Sequence, residues 1–269
     1  MGGLVSTAWL AAHLDDPDLR IVDATHCLPD SGRDPRAEFE AAHIPGAVFL
    51  DLTEIRDTDS ALPIMLPSTE TFATTMESLG IGDGTRIVLY DDAPHKTAAR
   101  AWFMLKTFGA KDVAILDGGL AKWQAEGRPL ESGQPAPHPR HFTPWTDRSQ
   151  VRDLDQMKGN LTTGAEQVVD ARGAAAFVQG HIPASLCLPF DRLFNADGTW
   201  KQGDALRQAF VEAGVDLKKP MVTTCGGGVT AAVVMFGAEL LGKHDVALYD
   251  GSWSEWGADP STPKAIGPA

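Results

Sequence analysis

The 269-residue chain has only three cysteines, at positions 27, 187 and 225, and no two of them form a Cys-X-X-Cys pair. An odd, widely spaced set of cysteines is not a disulfide framework and does not indicate structural zinc. Free thiols are typical of a reducing compartment, so we expect a cytoplasmic protein with no bound metal. Neither His138 nor His141 has a third ligand nearby in the sequence to change that expectation.

Basic residues are also scarce: 23 Lys and Arg stand against 36 Asp and Glu, for a formal net charge of -13. A nucleic-acid partner is therefore not expected, because phosphate recognition needs a basic surface. Nor does any stretch approach the roughly 20 apolar residues that cross a bilayer, so no membrane partner is expected. Hydrophobic residues make up 43% of the chain, enough for one large or two modest α/β domains.

The second half of the chain repeats landmarks of the first half in the same order. Three pairs of segments carry the repeat: Ile21-Val22-Asp23-Ala24 with Val168-Val169-Asp170-Ala171, His43-Ile44-Pro45 with His181-Ile182-Pro183, and Asp117-Gly118-Gly119 before Trp123 with Asp250-Gly251-Ser252 before Trp256. The offset between the pairs shrinks along the chain, as deletions in loops would produce. An ordered internal repeat predicts two domains of the same architecture.

Short β-branched runs alternate with helical patterns in each copy. In the second copy they predict, in order, strands 167–170 and 186–188, helix 204–214, strand 220–224, helix 229–241 and strand 245–249. Short buried strands between helices are typical of a parallel sheet with helices on both faces, which is an α/β fold. The proline-rich, aperiodic stretch 131–148 reads as a linker. We therefore predict domains 1–130 and 149–269.

The segment Cys225-Gly226-Gly227-Gly228-Val229-Thr230 follows a predicted strand and opens a predicted helix. Ligands of open α/β sheets bind at this edge, and successive glycines let backbone amides converge on one anion. The amides and the helix dipole favour the thiolate, which is the nucleophilic form of Cys225. The alternative is a small buried cysteine in a tight turn. A phosphate loop is not indicated, since the Gly-Lys-Ser/Thr ending is missing.

Aligning strand Ile87–Tyr90 with Met221–Thr224 places Asp91 where the second copy has Cys225. An aspartate cannot carry a sulfur atom, and its own negative charge repels an anion that backbone amides would bind. The first domain is therefore predicted to be catalytically inactive.

Together these segments resemble the tandem-domain rhodanese and 3-mercaptopyruvate sulfurtransferase family over nearly the whole chain. The matching motifs are Arg33-Asp34 with Glu38-Phe39, His43-Ile44-Pro45-Gly46-Ala47, Leu116-Asp117-Gly118-Gly119, Val169-Asp170-Ala171-Arg172, Gly180-His181-Ile182-Pro183, the Cys225 loop and Tyr249-Asp250-Gly251-Ser252-Trp253. The resemblance implies two rhodanese-like domains and a sulfane sulfur carried as a persulfide on Cys225. It implies a small anionic sulfur donor, an acceptor such as cyanide, thioredoxin or a low-molecular-weight thiol, and no cofactor.

The uncharged Gly226 and Gly227 favour 3-mercaptopyruvate as the donor, since relatives that use the thiosulfate dianion carry basic residues there. Two alternatives remain: a thiosulfate:cyanide sulfurtransferase, and a persulfide carrier or signalling module with little turnover. A cysteine phosphatase is disfavoured, because that chemistry uses a longer loop that ends in arginine.

The resemblance also assigns further site residues. Arg172 corresponds to one of two arginines that bind the substrate carboxylate; the second is missing, and Arg192 is a candidate to replace it. His43 and Asp34 match two members of a proposed catalytic set whose serine is Gly227 in this chain. The Asp34–His43 region would then face Cys225. The alternative for His43 is a turn-holding role, because His181 occupies the same motif in the second copy.

Overall fold

The computed structural model describes residues 1–268, which form two compact units. The first unit comprises Met1–Asp57, Leu66–Asp147 and Ala196–Thr199, and the second comprises Thr58–Met65, Arg148–Asn195 and Trp200 onward. Most of the predicted linker, residues 131–147, therefore lies with the first unit.

The first unit contains five strands, five α-helices and a short 3-10 helix, Pro29–Ser31. The strands and α-helices are β1 (Leu4–Val5), α1 (Thr7–Ala12), β2 (Leu19–Asp23), α2 (Pro35–Ala41), β3 (Ala47–Phe49), α3 (Thr69–Ser78), β4 (Arg86–Tyr90), α4 (Ala98–Thr107), β5 (Val113–Leu116) and α5 (Gly119–Ala125). Every strand pairs parallel with its neighbours, in the order β1-β5-β4-β2-β3.

The second unit has the same plan. Its elements are β6 (Val151–Arg152), α6 (Leu154–Thr163), β7 (Gln167–Asp170), α7 (Ala174–Gln179), β8 (Leu186–Cys187), α8 (Gly203–Glu212), β9 (Met221–Thr224), α9 (Thr230–Leu240), β10 (Val246–Tyr249) and α10 (Ser252–Trp256). The parallel order is β6-β10-β9-β7-β8, so each strand takes the place of its counterpart in the first unit. The predicted α/β fold is confirmed.

Local sequence explains where several elements begin and how they are buried. The hydroxyl of Ser6 accepts from the amide of Trp9 at the start of α1, and Asp153 forms a reciprocal capping box with Gln156 at α6. Helix α9 is apolar on every side and is buried from Thr230 to Ala238. A helix of this composition is stable only inside a core, and α9 follows directly from the Cys225 loop.

The repeated landmarks hold equivalent points in the two units. Trp123 and Trp256 are fully buried, and each indole donates to a backbone carbonyl, that of Pro129 in one case and of Pro263 in the other. Both indoles therefore pack inside their own unit. The landmarks therefore specify the shared architecture rather than any feature peculiar to one copy.

Burial strongly affects Asp23, at the end of β2. Its carboxylate accepts from the backbone amide of Thr25 at 2.8 Å. The pKa of Asp23 is raised to about 6, mainly by burial and to a smaller extent by nearby Asp91, against the opposing hydrogen bonds from Thr25 and Tyr90. Because the folded state favours the protonated acid, its stability falls as the pH rises from about 4 to about 6, and this loss remains at higher pH.

We therefore expect Asp23→Asn to stabilise the protein, by about 1–3 kcal/mol at pH 8 and by about 1 kcal/mol less at pH 5. Urea unfolding at both pH values measures the difference. Asp15→Asn, at an exposed position, is the control. An effect of Asp23→Asn that is the same at both pH values would contradict this explanation.

Candidate active site

Cys225 lies at the carboxyl end of β9, between the ends of β7 and β10 in the second sheet. The residue is only 2% exposed. Four residues separate it from the first turn of α9, and in that interval Gly228 has φ +79°, in the left-handed region. A side chain at 228 would be strained. The loop therefore turns sharply from strand to helix directly behind the thiol, as the sequence predicted.

The backbone amides of this loop are the groups that can bind a ligand. Among residues 1–268, those of Gly226, Gly227 and Val229 donate to no acceptor. Unpaired amides beside a helix N-terminus bind negative charge, because their N–H dipoles and the helix dipole add. The loop can thus hold an anion or a developing negative charge next to the sulfur of Cys225.

The corresponding loop of the first unit satisfies its own amides. Asp91 follows β4 as Cys225 follows β9, and its carboxylate accepts from Ala93 at 3.1 Å and from Ala98 at 2.8 Å. The amide of Asp92 donates to the hydroxyl of Thr25 at 2.9 Å. Burial raises the pKa of Asp91. Side chains of the first unit therefore fill the position that is left open in the second.

Arg172 stands two residues beyond β7, beside Asp170. Its Nε and Nη2 donate to Asp170, with Nη2 at 2.6 Å from Oδ2, and Nη2 also donates to the carbonyl of Gly180 at 2.8 Å. The guanidinium lies 4.7 Å from the ring centroid of Trp253. These contacts fix one edge of the guanidinium, and Nη1 has no partner within residues 1–268. That nitrogen remains available to a carboxylate.

The contacts of Arg172 also explain neighbouring residues. Asp170 is 1% exposed, and the pairing with Arg172 compensates its charge. Gly180 is required because a Cβ there would stand 2.8 Å from the ring of Trp253. In the first unit Thr25 takes the place of Arg172, so the buried Asp23 has no arginine two residues on.

A turn after β10 contacts the Cys225 loop and was not identified by the sequence reasoning. We call Ser252, Trp253 and Ser254 the Ser252–Ser254 turn. The amide of Trp253 donates to the carbonyl of Cys225, and Ser254 donates to the carbonyl of Gly226. The available signal was a difference between the copies: Gly119 and Ala121 stand where the second copy has two serines.

The space around the glycines explains part of the loop composition. A Cβ on Gly226 would have no heavy atom within 4 Å, whereas one on Gly227 would lie 3.1 Å from Cγ of Pro63. Pro63 belongs to the segment Thr58–Met65 of the second unit. The position at which related enzymes carry serine is therefore tightly packed in this chain, and the preceding position is open.

The two predicted site residues in the first unit have clear local roles. Asp34 is exposed and caps α2 by accepting from the amide of Ala37 at 3.1 Å. His43 is buried, stacks on Phe39 and hydrogen-bonds through Nδ1 to the carbonyl of that residue at 2.7 Å.

His181 makes the same pair of contacts with Phe177 in the second unit, with a hydrogen bond of 2.9 Å. The repeated contacts are those of a turn-holding histidine. A test of a catalytic role for His43 therefore has to compare it with His181.

The remaining candidates are more peripheral. Arg192 is exposed, and its side chain forms no ion pair within residues 1–268. Cys27 and Cys187 are half-buried, and burial raises the pKa of both thiols. No three His, Cys, Asp or Glu side chains in the described part of the chain are grouped to hold a metal ion. No helix of that part is long and apolar enough to cross a membrane.

Comparison with known proteins extends over nearly the whole chain. Residues 6–126 and 153–259 each match the family described as the rhodanese-like domain. The chain is 41% identical to the human 3-mercaptopyruvate sulfurtransferase over 270 residues, which cover 94% of this chain and 91% of the human protein. It is 38% identical to the Arabidopsis thaliana protein named thiosulfate/3-mercaptopyruvate sulfurtransferase 1, mitochondrial, over 97% of this chain and 77% of that protein.

A solved structure agrees with these sequence matches. The crystal structure of SseA from Escherichia coli, described as a 3-mercaptopyruvate sulfotransferase with the rhodanese fold, superposes with a TM-score of 0.89 at 38% identity. The match covers 94% of this chain and 99% of SseA. With two matched copies, the repeated sheet order and relatives near 40% identity, the chain belongs to the rhodanese-like domain family.

Proposed function

We propose that this protein is a sulfurtransferase that takes a sulfane sulfur from 3-mercaptopyruvate onto Cys225. One observation carries the proposal: the buried Cys225 stands before a loop with unpaired amides, next to a fixed arginine. The first copy, which keeps the same fold, has Asp91 and Thr25 in place of Cys225 and Arg172. Relatives at about 40% identity carry the matching names.

In the first half-reaction, the thiolate of Cys225 attacks the sulfur of 3-mercaptopyruvate. An S–S bond forms and the C–S bond breaks, with its electron pair left on carbon as the enolate of pyruvate. The enolate then takes up one proton. The thiol and 3-mercaptopyruvate thus give the Cys225 persulfide and pyruvate, with the sulfur atom transferred and no external oxidant needed.

The second half-reaction removes the outer sulfur from the Cys225 persulfide. An acceptor thiolate attacks the outer sulfur of the persulfide, the S–S bond breaks, and Cys225 leaves as the thiolate. A dithiol such as reduced thioredoxin, or a pair of low-molecular-weight thiols, then closes its own disulfide and releases hydrogen sulfide. Cyanide as acceptor gives thiocyanate by the same displacement.

The chain contributes charge stabilisation and orientation to these steps. The amides of Gly226 to Thr230 surround the outer sulfur and stabilise its negative charge in the manner of an oxyanion hole. Arg172 receives the donor carboxylate through Nη1, and Asp170 keeps the guanidinium in one orientation. No cofactor is required, since the electron pair of the broken C–S bond stays on the carbon of pyruvate and no outside electron acceptor is needed.

The first domain, residues 1–130, acts in this proposal as an inactive partner that retains the fold, with 131–148 as the connection and 149–269 as the catalytic domain. We also propose a cytoplasmic location, because three free cysteines fit a reducing compartment. The Arabidopsis relative is named as mitochondrial, so localisation of the tagged full-length protein tests this point.

Thiosulfate is the second candidate donor, since the name of the Arabidopsis relative includes both donors. Its two negative charges would meet the amides of the loop and no basic side chain between Cys225 and Thr230. We therefore expect kcat/KM for 3-mercaptopyruvate to exceed that for thiosulfate by about 100-fold, as the loss of one or two charge-assisted contacts predicts.

The direct test is sulfide release from 3-mercaptopyruvate with a thiol acceptor, beside thiocyanate formation from thiosulfate and cyanide. Cys225→Ser is expected to abolish both activities and the persulfide seen by mass spectrometry. Cys27→Ser, which removes the half-buried thiol of the first unit, serves as the control and should retain activity. Full turnover by Cys225→Ser would refute the proposal, and a stable persulfide without turnover would favour the carrier alternative.

The proposed carboxylate clamp, which consists of Arg172 and Arg192, leads to a separate prediction. Arg172→Lys keeps a positive charge beside Asp170 but loses the fixed planar group, so KM for 3-mercaptopyruvate should rise about tenfold or more. We propose that Arg192 supplies the second contact, and Arg192→Ala should raise KM several-fold. Thermal unfolding of each variant checks that the fold is intact. An unchanged KM in either variant removes that arginine from the clamp.

The roles of His43 and Asp34 in catalysis remain a proposal, and the repeat supplies a matched pair for testing it. If His43 acts in the reaction, His43→Gln lowers kcat about tenfold or more and alters the pH profile, whereas His181→Gln reduces only stability. Asp34→Asn, which keeps an acceptor for the helix cap, should likewise lower kcat. Equal effects of the two histidine variants on kcat would show that His43 only holds its turn.

A further inference from the structure

The Ser252–Ser254 turn holds two carbonyl oxygens of the Cys225 loop. The amide of Trp253 donates to the carbonyl of Cys225 at 3.0 Å, and both the amide and the hydroxyl of Ser254 donate to the carbonyl of Gly226 at 2.8 Å. In a trans peptide the N–H and C=O groups point in opposite directions. Holding these carbonyls therefore turns the amides of Gly226 and Gly227 away from the turn.

This constraint acts where the backbone is otherwise free. Neither Gly226 nor Gly227 adopts a positive φ, and consecutive glycines have the widest choice of peptide orientations. Without a fixed carbonyl, the Gly226–Gly227 peptide could rotate and present its oxygen to the sulfur. An oxygen in that position would repel the charge that the amide stabilises.

Ser252 binds the first residue of the Cys225 loop, and its own backbone is strained. Its hydroxyl accepts from the amide of Cys225 at 3.2 Å and donates to the carbonyl of Tyr249 at 2.8 Å. Its backbone has φ +50° and the residue is fully buried. A non-glycine residue in this region carries a strain of about 1 kcal/mol or more that glycine avoids. A serine persists here although glycine would relieve the strain.

The first copy provides the comparison. Gly119, at φ +59°, stands in place of Ser252, and Ala121 stands in place of Ser254. The backbone contact is kept, since Leu120 donates to the carbonyl of Asp91 at 3.2 Å. Both hydroxyls are therefore absent from the copy that lacks the cysteine, and both are present in the copy that has it.

We propose that Ser252 and Ser254 are positioning residues. The hydroxyl of Ser254 fixes the Gly226–Gly227 peptide so that the amide of Gly227 faces the persulfide, and the hydroxyl of Ser252 fixes the backbone of Cys225, which carries that persulfide. The inference rests on the proposed sulfur transfer through Cys225. In this inference the loop is oriented by a turn that lies 27 residues further along the chain. The two serines act through the loop and do not touch the substrate.

The first test compares Ser254→Ala with Ser254→Thr, which retains the hydroxyl. In a single turnover with 3-mercaptopyruvate, Ser254→Ala should form pyruvate and the persulfide about tenfold more slowly, with KM changed by less than about twofold. Ser254→Thr should recover most of the rate. Ser261→Ala removes an exposed hydroxyl of the same unit that binds Lys158, and it should behave as wild type.

The second test separates the hydroxyl of Ser252 from the strain of its backbone. Ser252→Gly relieves the strain and Ser252→Ala keeps it, so the glycine variant should unfold at the higher temperature. Both variants lack the hydroxyl, and both should slow persulfide formation by about tenfold. If the rate follows the unfolding temperature instead, the role of Ser252 is structural and the inference is wrong.

The outcomes distinguish this inference from the proposed function. A wild-type protein that forms no persulfide from either donor contradicts the proposed function, and the inference falls with it. A wild type that forms the persulfide, with Ser254→Ala and Ser252→Gly equally fast, overturns the positioning role alone. Slow formation with recovery in Ser254→Thr supports both.

Discussion

The proposed chemistry depends on backbone amides of the Cys225 loop that have no acceptor among residues 1–268. Gly226, Gly227 and Val229 are half-buried, and a folded chain normally satisfies the amides of such a loop with its own groups. The loop after β4 does this, with Asp91 and Thr25 as acceptors. The loop after β9 leaves the position open, and a bound anion or persulfide is what completes it. In the proposed function, the copy that acts in catalysis is therefore the copy whose loop amides are left for a ligand.

Most of the fold was predictable from sequence because its signals are local or repeated. The alternation of strands and helices, the ordered repeat and the glycine-rich turn after β9 each lie within a few consecutive residues. The predicted strand 167–170 agrees with β7, and the predicted helix 229–241 differs from α9 by one residue at each end. Helix ends depend on caps and on the last hydrogen bonds of the first and last turns, which the hydrophobic period does not determine.

The Cys225 loop and Arg172 could be identified from the sequence, but the contacts that shape them could not. Cys225 and its glycines form one continuous motif, whereas the contacts that shape them join distant parts of the chain. Pro63 meets Gly227 from far upstream in the sequence, and Ser254 reaches Gly226 from the turn after β10. The commitment of Arg172 to Asp170 was also hidden, because an arginine two residues after an aspartate occurs in many exposed loops. A comparison of the two copies, residue by residue, would have exposed the serines.

The open space beside Gly226 has a consequence for how this enzyme can change. A Cβ added there meets no heavy atom within 4 Å, and the backbone of Gly226 does not have a positive φ. The charge at the entrance of the site can therefore vary without disturbing the buried helix α9 or the sheet below it. In the proposed reaction, a substitution at position 226 would change the charge beside Cys225 and leave the packing of the scaffold as it is.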